Sequence, residues 1–155
     1  ALRKELGVDT ILWLNHGALL GDDTDAHIDT LARLAPDRTI VYTACNDPAD
    51  EHYDELKKME HELEAFSDYR LLPLPWPAPK YDNEGHRLPA TYANYLVING
   101  AVLVPTYNDP ADDSALAVVQ KAFPDREMIG IDCSTLILQH GSLHCVTMQI
   151  PKGVL

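Results

Sequence analysis

Two stretches of this sequence hold residue types that do chemistry when brought together. The first is GDDTDAHIDT (21–30), where Asp22, Asp23, Asp25, His27 and Asp29 crowd into one short segment. The second is GSLHCVTMQ (141–149), with Cys145 at its centre. Crowded carboxylates repel one another unless a cation, a donor or open water relieves them, so the acidic stretch expects something positive. A cysteine reacts as the thiolate, and an unassisted thiol with a pKa of ~8.5 is mostly protonated near neutrality. Cys145 reads as following a Gly141 turn and opening a terminal strand, at the rim of a sheet. Free cysteine is also among the most often buried residue types, so a packing role stands beside the chemical one. On a strand the adjacent His144 would point to the opposite face, which places the helper of the thiol elsewhere.

The acidic stretch admits other readings. As a calcium loop it fails, because Ile28 stands where the sharp-turn glycine belongs and Leu34 where the bidentate glutamate belongs. His27 and Asp29, joined by a distant His140 or His144, would form the two-histidine, one-carboxylate set of a non-haem iron oxygenase. As plain structure, the loop would be solvated, with Asp22 or Thr24 capping a helix that starts near His27. As a non-catalytic surface, it would bind a cationic ligand or a protein partner.

The whole composition points the same way. The 155 residues carry 24 acidic and 12 basic side chains, a formal charge of −12, which is the wrong sign for gripping nucleic acid or an anionic membrane. A small cationic substrate is the natural partner. No stretch approaches the ~20 apolar residues of a membrane span, and the N-terminal stretch lacks a signal-type cleavage site. Cys45, Cys133 and Cys145 cannot all pair and show no C-x-x-C spacing, as expected of free thiols in a reducing cytoplasm. Cys45 and Cys133, without a helper nearby, read as structural.

The elements that must position these residues read as mixed α/β. TILWL (10–14) and RTIVYTA (38–44) are short apolar runs that read as buried strands, with a segment between them too polar at its centre for core. From Pro48 to Phe66, Tyr53, Leu56, Met59, Leu63 and Phe66 recur every three to four residues, the mark of an amphipathic helix that leaves His52 and His61 facing solvent. YRLLPLPWPAP begins as a strand and dissolves into a proline-rich loop reaching Leu88, which carries His86 on the surface. TYANYLVINGAVLVPTY reads as two strands joined at Asn99-Gly100. A helix (DPADDSALAVVQKAF), a strand (REMIGID), a helical turn or strand and a final strand complete the order. Trp13 and Trp76 read as packing residues. Hairpins among the strands argue against a purely parallel sheet, and there is no glycine-rich phosphate loop.

GDDTDAHIDTLARL, LPATYANYLVINGAVLVPTYNDPADDSA and QHGSLHCVTMQ, in this order, resemble the agmatine deiminase and Porphyromonas-type peptidylarginine deiminase family, across most of the chain. The resemblance implies an α/β fold of mixed sheets with hairpins, part of a pseudo-five-fold α/β propeller (pentein). About two blades would be present, with residues 1–155 forming one partial domain from the C-terminal portion. It implies hydrolysis of a guanidino group, agmatine giving N-carbamoylputrescine and ammonia, with peptidylarginine or free arginine as alternative substrates. Cys145 would be the nucleophile, His27 the acid and base, Asp29 the guanidinium-binding carboxylate and Asp23 a second one. No metal or organic cofactor is implied. Family members also carry an upstream Arg-Asp segment whose aspartate grips the guanidinium, and nothing in this chain matches it. Ala26 replaces a usual glycine and Leu34 a common aromatic. The chain is therefore expected to be impaired alone, and to self-associate or to pair with a missing N-terminal portion.

Overall fold

A computed structural model describes residues 1–22, 27–150, 153 and 154. After a short helix α1 (Leu2–Leu6), two units of one design follow. In the first, β1 (Ala32–Ala35) runs antiparallel to β2 (Thr39–Thr43), and α2 (Tyr53–Glu64) crosses over to β3 (Arg70–Leu74), which lies parallel to β2. In the second, β4 (Leu96–Ile98) runs antiparallel to β5 (Ala101–Thr106), and α3 (Asp112–Ala122) crosses over to β6 (Glu127–Asp132), parallel to β5. Each sheet has three strands with the second at its centre, and both sheets are open. This repeated ββαβ order is the mixed α/β architecture expected of about two propeller blades.

Local chemistry explains the order. A hairpin can join antiparallel strands, whereas a parallel pair needs a long crossover, which each helix supplies. Asn99-Gly100 links paired Ile98 and Ala101, with Gly100 at φ 82°, as a tight two-residue hairpin requires. The β1–β2 hairpin, absent from the sequence reading, turns at Asp37 and Arg38, both left-handed. Strand β2 is buried at all five positions because it is covered twice. Ile40 and Tyr42 join Leu56, Met59 and Leu63 of α2 in one core. Val41 joins Leu74, Tyr92, Val102, Val104 and Val119 in the other. Helix α3 packs on β2 and β3 as well as on its own sheet, so it welds the two units together.

Several expectations are corrected. Residues 10–14 form no strand, and Trp13 is 65% exposed rather than packed. The polar segment that follows nevertheless supplies β1 and core residues Leu19, Leu31 and Ala32, because a four-residue edge strand needs only a few buried side chains. The helix over 48–66 begins at Tyr53. In place of a helix near His27 there is a single 3-10 turn, Ile28–Thr30. Residues 134–150 form a 3-10 turn, Leu136–Gln139, then a tight turn and irregular backbone in place of the expected final strand. His52 is buried, not solvent-facing: its Nδ1 donates to Asp50 Oδ1 at 2.8 Å while Nε2 accepts the Leu20 N–H at 2.9 Å. His61 and His86 lie on the surface beside Glu64 and Asp82.

Candidate active site

The acidic stretch is carried into place by packing at both ends. Gly21 sits at φ 81°, and a Cβ there would overlap the Arg87 carbonyl oxygen. Its own carbonyl accepts from His140 Nδ1 at 3.0 Å. After the undescribed positions, which include Asp23, the chain re-enters at His27, exposed and extended, and turns through Ile28–Thr30 into β1. Thr30 Oγ1 lies 2.7 Å from the His27 carbonyl oxygen and 2.9 Å from Asp22 Oδ2, drawing both toward the turn.

Buried hydroxyls anchor that turn to the second unit. The Thr30 carbonyl oxygen accepts from Thr43 Oγ1 at 3.0 Å and Thr91 Oγ1 at 2.9 Å. The Tyr107 hydroxyl donates to the Thr91 carbonyl at 2.8 Å and lies 3.0 Å from Ser142 Oγ. Arg33 reinforces the join: its guanidinium donates to the carbonyls of Tyr95 and Ala93 and lies 4.9 Å over the Tyr95 ring. Satisfied polar chains of this kind hold their members in one arrangement.

Asp29, Asn94, His144 and Cys145 converge on this frame. His144 Nδ1 donates to Asp29 Oδ2 at 2.6 Å, the carboxylate fixing the hydrogen on Nδ1. Asn94 Nδ2 donates to Asp29 Oδ2 at 3.1 Å and to Cys145 Sγ at 3.2 Å. The sulfur stands 3.8 Å from Asp29 Oδ2. Gly141 leaves room for the Cys145 side chain, since a Cβ there would crowd Cys145 Cβ at 3.2 Å while meeting Sγ at an ordinary 3.5 Å.

The electrostatics are acidic. Burial alone would raise the Asp29 carboxyl, yet the hydrogen bond and charge of His144, the Arg33 guanidinium and the Asn94 amide together hold it below its ordinary value. Cys145 is exposed by surface area, but desolvation still pushes its thiol up, because a thiolate senses surrounding atoms over a longer range than a water contact does. Asp29 and Asp22 add to that rise, while the Ser142 backbone and the Asn94 amide oppose it. The site therefore holds a neutral thiol beside a carboxylate, an arrangement that a bound cation would reverse.

Of the residues singled out in the sequence, Asp29 and Cys145 are brought together. His27 lies two positions before Asp29 on the same segment, and Asp23 falls outside the described residues. Cys145 sits in a turn rather than opening a strand, so side-chain alternation does not apply, and His144 faces the same carboxylate as the sulfur. His140 and His144 are directed at Gly21 O and Asp29, and among the described residues no group of three or more His, Cys, Asp or Glu is placed to hold a metal ion. Cys45 and Cys133, read as structural, are buried. Asn94 was missed; its only sequence signal is a polar residue standing in the apolar run TYANYLVI.

A family model described as Porphyromonas-type peptidyl-arginine deiminase matches residues 1–151. A solved candidate arginine deiminase from Porphyromonas gingivalis is 60% identical, with a TM-score of 0.92 over 98% of this chain and 46% of that one. C. jejuni agmatine deiminase is 45% identical, with a TM-score of 0.87 over 93% of this chain and 43% of that one. Agmatine deiminase from Pseudomonas fluorescens is 30% identical over 97% of this chain and 46% of its own length. The chain thus spans about half the length of the curated relatives it matches.

Proposed function

The chain belongs to the Porphyromonas-type peptidyl-arginine deiminase family, and on that premise we propose that it serves hydrolysis of a guanidino group, with agmatine as the first substrate to try and arginine or peptidylarginine next. The observation that carries this reading is the 3.8 Å approach of Cys145 Sγ to the Asp29 carboxylate, in a site whose charge calls for a cation.

The chemistry follows from those groups. A guanidinium binds against Asp29 through charge-assisted hydrogen bonds, with Asp23 as a second carboxylate, and its positive charge favours transfer of the Cys145 proton to His27. The thiolate attacks the central carbon, and the C–N π electrons move onto nitrogen. His27 delivers a proton to the departing nitrogen, the C–N bond breaks, and ammonia leaves an amidino group on sulfur. Water, losing a proton to His27, adds to that carbon and the C–S bond breaks, giving the ureido product and restoring the thiolate. Agmatine and water thus become N-carbamoylputrescine and ammonia. No step draws on a metal or organic cofactor.

With protein in excess over agmatine, even slow turnover becomes visible as stoichiometric product. Quenched samples are expected to hold N-carbamoylputrescine and a transient amidino adduct on Cys145, both lost in Cys145→Ala. Product formation that survives Cys145→Ala contradicts the reading, as does recovery of unchanged agmatine from the native protein.

Residues 1–155 are read as one partial unit of a larger ring. Trp13, Leu34 and Met148 are all more than half exposed, apolar surface suited to a second copy or to the N-terminal portion of the same enzyme. No helix among the described residues is long and apolar enough to cross a membrane. Three free cysteines accord with a cytoplasmic setting.

A further inference from the structure

One pentapeptide occurs twice in the chain. NDPAD occupies residues 46–50 and again residues 108–112, each time leading from the central strand of a unit into its crossover helix. The last aspartate of each copy is fully engaged: Asp112 accepts from the Tyr107 and Asp109 N–H groups and the Tyr92 hydroxyl, and Asp50 from His52, Trp76 and Arg87. The first aspartates begin alike. Asp47 Oδ1 accepts the Ala49 N–H at 2.9 Å, and Asp109 Oδ1 accepts the Ala111 N–H at 3.0 Å.

Their second oxygens differ. Asp109 Oδ2 holds the loop that follows β3, accepting the Ala78 N–H at 3.0 Å and the Lys80 ammonium at 2.9 Å, and its side chain is only 3% exposed. Burial alone would raise that carboxyl, yet Lys80 and the Ala111 and Ala78 N–H groups hold it below its ordinary value. The contact fastens a loop of the first unit onto the second. Asp47 is exposed, and among the described residues no donor meets its Oδ2. It borders an open cavity of about 740 Å³ whose walls include Glu51, Pro75, Trp76 and Tyr81. The cation on that wall, Arg87, is already committed to Asp50 and Glu51.

The seat at Asp109 is thus filled by the unit that precedes it. Ahead of Asp47 the described residues form no earlier ββαβ unit, whereas this chain covers only 46% of its relatives' length, so they carry further chain that could supply one. We propose that Asp47 is the matching seat for the N-terminal portion of the same enzyme, filled by the loop that follows the last strand of the preceding unit, which donates one backbone N–H and one lysine or arginine side chain to Oδ2. This assignment rests on the reading of residues 1–155 as part of a larger ring, and goes beyond it in naming the residue, the segment and the charge of the contact. The cation is required because a carboxylate covered by such a loop is costly to bury unless it is paired and hydrogen-bonded.

The test compares the 155-residue chain with the longer protein that carries the N-terminal portion, by carbodiimide-driven amidation with glycinamide and peptide mapping. Asp109 marks a filled seat and is expected to stay unmodified in both. Asp47 is expected to be amidated in the 155-residue chain and protected in the longer protein. Equal amidation of Asp47 in both overturns the proposal. Protection that appears in the 155-residue chain as its concentration rises makes a second copy the occupant, and also overturns it. Charge reversal supplies a second measurement. Asp47→Lys should leave the melting temperature of the 155-residue chain unchanged, because the residue is exposed there, and lower that of the longer protein, with Asp47→Asn between the two. A longer protein whose melting temperature ignores Asp47→Lys overturns the proposal. Hydroxyl-radical footprinting of Trp13 in the same samples keeps the larger reading separate: Trp13 protected with Asp47 open means that the ring forms without this seat, and both open means that the ring itself fails. None of these readouts uses a guanidino substrate, so they stand or fall apart from the deiminase reading.

Discussion

His144 Nδ1 and Asp29 Oδ2, separated by 115 positions in the sequence, meet at 2.6 Å. The contact occupies the carboxylate oxygen that also lies 3.8 Å from the Cys145 sulfur, so Asp29 already has a partner at the position proposed for a substrate cation. Under the proposed function, an incoming guanidinium would share that oxygen with His144 or displace it.

Asp29 is expected to act on two kinds of reagent with opposite sign. Its negative charge helps raise the Cys145 thiol, so Asp29→Asn should lower that thiol and speed alkylation by neutral iodoacetamide at pH 7. The same change removes the anchor for a cation, and labelling by a cationic haloacetamidine should slow by about 10- to 100-fold, the scale of one charge-assisted pair. Parallel rate measurements with both reagents check this; a change of the same sign for both would contradict it.

Gly141 is expected to be required by the packing of the Cys145 side chain rather than by the backbone, since its φ is not positive. A methyl group there would press on Cys145 Cβ and the Gln139 amide, and the give needed at Cβ would shift the sulfur. Gly141→Ala should therefore cut Cys145 labelling about 10-fold or more while costing only about 1–2 kcal/mol in stability, the scale of modest overpacking. Labelling rates read beside thermal unfolding separate the two effects.

Asp50 ties the proline-rich loop to the segment leading into the acidic stretch. Burial would raise its carboxyl, but the His52 backbone N–H, the Trp76 indole, the His52 ring and Arg87 hold it far below its ordinary value near 3.8. Asp50→Asn should destabilise the protein by about 3–5 kcal/mol at pH 7, as expected when a buried pair loses one partner. A carboxyl depressed in the folded state contributes stability that is fully present above its unfolded value. That contribution is lost as pH falls through the folded value. The difference in thermal stability between native and variant should accordingly be constant near neutrality and narrow below about pH 3.8. A gap that widens in acid would contradict this account.

What the sequence revealed depended on whether the signal was local. The Asn99-Gly100 hairpin, α2 and α3 were legible because turn chemistry and helical spacing act over a few residues. Strand β1 was not, since its four residues show too little alternation to stand out within a polar stretch. TILWL misled because an apolar run looks alike whether it is paired or, like Trp13, left exposed. His52 was misjudged because its partners, Asp50 and Leu20, belong to backbone turns rather than to helical periodicity. In the site, Asp29 and Cys145 were legible as residue types and through family resemblance. Asn94 was not, and His144, set beside Asp29 only as an iron ligand, was expected to face away from the sulfur; both places arise from a turn at Cys145 that sequence reading took for a strand.

As a nucleophile that answers to a bound guanidinium-like cation, Cys145 should react with 2-chloroacetamidine, as followed by intact-mass analysis and peptide mapping. A single amidine adduct is expected on Cys145, with Cys45 and Cys133 untouched, suppressed by agmatine and slowed in Asp29→Asn. Absence of an adduct on Cys145, or labelling there that agmatine does not suppress, would contradict this role of Cys145.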